Sequence, residues 1–213
     1  MRSFRALDLP LHILVNNAGV MACPAGHTAE GWETQFGTNH LGHFLLTDLL
    51  MDKLESSAPS RVVVLSSAAH QTGRIDFDNL KSERSYMAWL AYGRSKIANI
   101  YHARELNRRY HDRGVTAVSV HPGVILTQLY RNTVFRFVTP VLKPLTKTVP
   151  QGAATSVWAA LAPEVATEAV AGKYLADCNV EKPVALALDD EIAAKLWDFS
   201  VEAIKEGAEQ AQE

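Results

Sequence analysis

The chain has two cysteines in 213 residues, Cys23 and Cys178. Neither stands in a C-x-x-C or Cys/His pattern, which argues against a disulfide framework and against a thiolate metal site. No apolar run approaches the ~18 residues that cross a bilayer, and no secretory leader is legible at Met1. Charge of one sign never accumulates. Lys and Arg number 21 against 23 Asp and Glu, the net charge is −2, and the basic residues fall singly. That excludes a nucleic-acid footprint. There is no internal repeat and no linker, so one domain over 1–213 is expected, its polar end at 206–213 frayed. These features predict reduced thiols and a cytoplasmic setting, with membrane attachment only if an anchor precedes the first residue.

What is present is ample core: 47% of residues are hydrophobic. Continuous Val/Ile/Leu-rich runs at 11–15, 62–65, 115–120 and 173–176 read as strands covered on both faces. Helical patterns lie between them: from Ala29, capped by Thr28, through Leu49; from about Tyr86 to Asp112, with Gly114 past its end; from Pro150 to Leu161; and from Asp190 to Ile204. Alternating strands and helices make an α/β fold with a parallel sheet. Ligands of such sheets bind beyond the carboxyl ends of the strands. Asn17, Ser67 and Pro122-Gly123 all stand at such ends.

The stretch Tyr92-Gly93-Arg94-Ser95-Lys96 carries the clearest chemistry. Residues four apart share a helix face. A lysine ammonium beside a phenol favours the phenolate, and a free phenol at pKa about 10 is otherwise a poor proton exchanger near neutrality. Tyr86 lacks such a partner, since position 90 is Leu, and reads as a packing or substrate-side residue. His40 and His43 are spaced for one helix face, but no third ligand follows, so no metal is expected.

Four further segments accompany this pair in a fixed order: Asn16-Asn17-Ala18-Gly19 after a strand, Asn39 within a helix, Ser66-Ser67 after a strand, and Pro122-Gly123 followed by Thr127. Together they resemble the short-chain dehydrogenase/reductase family, in its retinol-dehydrogenase-like and WW-domain-oxidoreductase-like branch, from about Leu9 to Asn179. The resemblance implies a Rossmann-like doubly wound parallel sheet. It implies an NAD(P)-dependent oxidoreductase acting on a carbonyl or alcohol of a bulky apolar, retinoid-, steroid- or lipid-like substrate. Tyr92 would be the general acid and base, and Lys96 would tune it and bind the nicotinamide ribose. Ser67, rather than Ser66, would bond the carbonyl oxygen. Asn39 would hold a relay water through a local break in its helix, a break that Gly37 and Gly42 favour. Asn16, Asn17, Ala18 and Gly19 would lie against the adenosine side of the cofactor. Pro122, Gly123 and Thr127 would meet the nicotinamide. The branch implies NADP(H) in preference to NAD(H).

The family's T-G-x-x-x-G-x-G turn, which seats the pyrophosphate on a helix N-terminus, does not occur in the sequence. The expectation is therefore an N-terminally truncated sheet lacking its first three strands, with 11–15 left as an exposed apolar edge. It follows that the 213 residues alone could be catalytically weak. The alternative is a non-catalytic chain that pairs its two long helices with a full-length homologue, or with a copy of itself as a homodimer. Val134–Leu145, apolar with Arg136 and Lys143 interspersed, reads equally as a substrate cover or as a peripheral membrane contact.

Overall fold

The computed structural model describes Phe4, residues 7–125, Leu129 and residues 146–210. Thr127 and the Val134–Leu145 stretch lie outside the described residues. Five strands form one sheet in the order β1 (Ile13–Asn16), β2 (Ser60–Leu65), β3 (Val115–His121), β4 (Tyr174–Ala176) and β5 (Asn179–Glu181). The first four are parallel; β5 runs antiparallel to β4.

The central strands are largely apolar and buried along most of their length because both faces are covered. Val62 and Val64 point to one layer, where they pack with Ala103 and Leu106 of helix α2 (Ala88–Tyr110). Val63 and Leu65 point to the other, against Ala159 of helix α3 (Val149–Leu161) and Val165. This alternation is the period of two that a strand imposes. β1 differs. Among the described residues it pairs only with β2, and Ile13 and Val15 are 37% and 42% exposed. Among the described residues β1 is thus an apolar edge strand.

Two helix boundaries depart from the sequence reading. Thr28 does not cap a long helix. Residues 27–33 make a tight turn, with Gly31 at φ +79° and a bridge from His27 to Glu33. Glu33 is the cap, its carboxylate accepting from the amides of Gln35 and Phe36 at 2.8 and 2.9 Å. One α-turn (Thr34–Phe36) then gives way to a π-helical turn, Gly37–Leu41, before helix α1 (Gly42–Ser56). The helix distortion expected at Asn39 is this π turn; such turns are rare and cluster at functional sites. α3 starts on a capping box, Thr148 with Gln151, which satisfies two otherwise orphaned donors.

The last helix, α4 (Asp190–Gln210), extends through residues 206–210 of the polar end and lies across α1 and α2. Trp197 packs on Phe44 and His102 at ring distances of 4.8 and 6.0 Å, and Phe199 on Trp32 at 5.4 Å. Arg104 pairs with Asp190. α4 thus covers part of α1 and α2 through these contacts.

Two imidazoles in this seam are buried as neutral rings. His40 contacts the Ser200 hydroxyl at 3.0 Å, and burial, reinforced by charge at His43, lowers its pKa to about 3. His102 is lowered well below its ordinary value, also chiefly by burial. An unfolded histidine takes its proton near pH 6.5, whereas folded His40 refuses it until about 3. Stability is therefore untouched above 6.5 and falls as the pH drops below it. At ~1.36 kcal/mol per unit, His40 alone withdraws about 2 kcal/mol by pH 5. Urea midpoints at pH 7 and pH 5 are expected to show that loss, with a smaller one in His40→Gln.

Candidate active site

Beyond the carboxyl ends of β1, β2 and β3 lies a cavity of about 690 Å³. Asn17, Ala18 and Gly19 line it from β1, Ser66 and Ser67 from β2, and Pro122 and Gly123 from β3, with Tyr92 and Lys96 on α2. The structure thus gathers these residues in one place. Asn16 stays outside. It is buried beneath β1, and its amide nitrogen donates to the Thr47 hydroxyl at 2.8 Å.

Lys96 is 5% exposed, and its ammonium stands 5.5 Å from the centre of the Tyr92 ring. One N–H donates to the Leu65 carbonyl at 3.1 Å. Burial pulls its pKa from 10.5 down to about 8. The amide of Asn99 donates to the same carbonyl at 2.8 Å, so the last residue of β2 anchors this part of α2.

The two serines divide by geometry. The Ser66 hydroxyl is buried and donates to the Lys96 carbonyl at 2.7 Å. Ser67 is half-buried at the cavity, and its oxygen accepts from the Ala69 amide at 3.2 Å. That bond uses a lone pair and leaves the hydroxyl hydrogen available to a ligand. The following 3₁₀ turn, Ala68–Thr72, rests on α2 at Gly93. A Cβ on Gly93 would stand 2.8 Å from the Ala69 carbonyl oxygen and 2.7 Å from the Thr72 hydroxyl. The turn is therefore tolerable only beside a glycine. Gly93→Ala is expected to cost about 1–3 kcal/mol through overpacking. It should also move Ser67, so that turnover falls by about tenfold or more; urea unfolding and steady-state kinetics on the same protein check both.

Asn39 lies under the cavity rather than on it. Its amide nitrogen donates to the Val20 carbonyl and the Ser95 hydroxyl at 2.9 Å each, and its oxygen accepts from the Val20 amide at 2.8 Å. The side chain is fully committed, to the loop after β1 and to Ser95 of α2. Its backbone carbonyl faces Nδ1 of His43 at 2.9 Å. Gly19 fits this arrangement, since a Cβ there would come within 2.9 Å of the Asn39 Oδ1.

Of the two readings left open for Tyr86, packing or substrate-side, its bonds favour packing. Its hydroxyl donates to the Cys23 carbonyl at 2.5 Å and accepts from Gln35 at 2.9 Å, and burial pushes its pKa up to about 12. Sequence reasoning missed Gln35, which joins the loops flanking Tyr92 by also binding the Ala22 amide and the Ala88 carbonyl. It missed the far wall as well, formed by His121, Ile125, Val149, Gly152 and Ser156. Nothing local in the sequence marks those residues, and only the return of α3 to the sheet brings them there.

The pattern of the family described as short chain dehydrogenase matches residues 4–134. The chain belongs to that family. Retinol dehydrogenase 12 of Mus musculus is 46% identical over 202 residues, covering 94% of this chain and 63% of that protein. Short-chain dehydrogenase TIC 32 A, chloroplastic, of Brassica napus is 46% identical over 219 residues, covering 96% and 67%. These likenesses place the chain in the retinol-dehydrogenase-like branch, and it spans about two thirds of the length of those relatives. Among solved structures, an uncharacterised protein from Mycobacterium paratuberculosis superposes with TM-score 0.74 at 33% identity, covering 96% of this chain and 70% of that one. An NADPH-bound carbonyl reductase from chicken fatty liver shares the fold, with TM-score 0.61 at 20% identity over 85% of this chain and 69% of its own.

Proposed function

We propose that the chain is an oxidoreductase that moves hydride between a nicotinamide cofactor, NADP(H) in preference to NAD(H), and a carbonyl or alcohol carbon. The substrate class is bulky and apolar: a retinoid, steroid or lipid aldehyde. The observation that carries the reading is one cavity lined by a hydroxyl donor, a phenol and a buried ammonium. The names of the relatives and the NADPH of the carbonyl reductase point the same way.

The residues present fit the nicotinamide end of such a cofactor. Lys96 spends one of its three donors on Leu65, which leaves two for ribose hydroxyls. Gly19 and Gly123 keep the backbone low beside the cavity. Bound there, nicotinamide supplies or accepts the hydride. The rest falls to this chain. Ser67 donates a hydrogen bond to the substrate oxygen and stabilises charge as it develops. Tyr92 gives its proton to that oxygen during reduction and takes it back during oxidation. The Lys96 ammonium favours the phenolate by charge. Asn39 holds the β1 loop against the cavity. Trp89, Val124 and Val149 form an apolar, exposed mouth suited to a greasy substrate. No described helix is long and apolar enough to cross a membrane.

Deuterium transfer from C4-labelled NADPH to retinaldehyde, followed by mass spectrometry, tests this reading. Label in the retinol supports it, and none from a folded chain counts against it.

A further inference from the structure

Outside the residues given roles above, one imidazole has both ring nitrogens engaged with backbone from two distant segments. His70 is 1% exposed. Its Nδ1 lies 2.7 Å from the Ser67 carbonyl oxygen, and its Nε2 lies 3.1 Å from the Val184 amide nitrogen. A carbonyl only accepts and an amide N–H only donates, so the partners dictate the neutral tautomer with hydrogen on Nδ1. Burial lowers the pKa of His70, which suits that neutral form. The ring packs on Tyr174 of β4 at 4.8 Å.

Both ends of this bridge matter. At one end is the carbonyl of the very residue whose hydroxyl faces the cavity. At the other, Val184 starts the short 3₁₀ turn Ala185–Leu188, itself anchored where the Tyr101 hydroxyl donates to the Leu186 carbonyl at 2.6 Å. Tyr101 is on α2, the helix that carries Tyr92 and Lys96. The Ser67 turn therefore meets α2 directly on its Gly93 side, and is tied back to α2 through His70, Val184 and Leu186 on the other.

We propose that His70 is a positioning residue for Ser67: its Nδ1–H holds the serine's carbonyl, with the Val184 amide fixing the tautomer, so that the serine hydroxyl keeps a fixed aim at the substrate oxygen. This rests on the function proposed above. A hydrogen bond to developing charge depends on aim, and small displacements of such a donor cost rate rather than binding.

The test uses the full chain and three variants. His70→Asn keeps a donor near the Nδ1 position and gives up Val184. His70→Gln reaches toward Val184 and gives up Ser67. His70→Phe removes both bonds. Turnover of retinaldehyde, NADPH affinity and amide hydrogen exchange over residues 67–73 are measured on each. His70→Phe is expected to lower kcat on the order of ten- to a hundredfold, with KM and NADPH affinity within about twofold, and His70→Asn to recover most of the loss. An unchanged kcat in folded His70→Phe overturns the proposal, and so does equal impairment of His70→Asn and His70→Phe. If His70→Phe does not fold, Asn outperforming Gln supports the proposal and equal rates overturn it. A parent chain without turnover refutes the proposed function. Exchange then decides the positioning role: acceleration confined to 67–73 in the variants upholds it, and unchanged or global acceleration overturns it.

Discussion

Replacing Tyr92 by Phe is expected to lower turnover by about 10²–10⁴ while leaving NADPH affinity within about threefold. The change deletes one oxygen. The phenyl ring keeps its place in the cluster with Met21 and Ala22 and its distance from Lys96, so the fold and the cavity are preserved. On the proposed mechanism, what is lost is the proton given to the substrate oxygen as hydride arrives. Stopped-flow oxidation of NADPH under single-turnover conditions separates the chemical step from binding. A Tyr92→Phe variant that reduces substrate at the parent rate would remove the phenol from the mechanism, and a collapse of cofactor affinity would make the residue a binding group instead.

Lys96→Met should move stability and function in opposite directions. Burial costs the ammonium free energy, which is what its lowered pKa, about 8 against 10.5, expresses. The folded state holds this proton less tightly than the unfolded state does. The deficit is full below pH 8, shrinks between 8 and 10.5, and is absent above. At ~1.36 kcal/mol per unit, it is roughly 3 kcal/mol at neutral pH. Methionine fills similar volume without charge, and the Leu65 carbonyl keeps its bond from Asn99. The apo variant is therefore expected to unfold at higher urea at pH 7, by roughly 3 kcal/mol at most, and to lose that advantage near pH 10.5. NADPH binding and turnover should fall together. A variant less stable than the parent at pH 7 would mean that the lysine is held by more than it costs.

Much of the sheet and the site was legible because the relevant signals are local. Val62–Leu65 is uniformly apolar and Val115–Val120 largely so, as buried central parallel strands are. Tyr92 and Lys96 are joined by a single helical turn, and the strand-end placement of Ser67 and Pro122-Gly123 follows from the strands themselves. What stayed hidden depends on distant contacts. β5 is short and exposed, and its hairpin turns on Asp177 and Cys178, both at positive φ. Asn-Gly would have announced that turn; Asp-Cys does not. Thr28 carried a better cap signal than Glu33, yet Gly31 bends the chain before any helix can start. Asn16 belongs to the same motif as Asn17, but strand alternation sends its side chain under the sheet to Thr47. The role of His70 was not legible, because the amide it accepts from belongs to Val184, 114 positions away. Gly93 carries no local signal for its role, which comes from the Ser67 turn packed against it.

The measurement that bears most directly on the central claim is a titration of the folded chain with NADPH, read as energy transfer from its tryptophans, with NADH in parallel. Trp89 lines the cavity that holds Tyr92 and Lys96, so a nicotinamide bound there lies close to a donor. The account predicts saturable transfer with a micromolar dissociation constant, weakened in Lys96→Met. A folded chain that shows no saturable transfer with either nucleotide would contradict it.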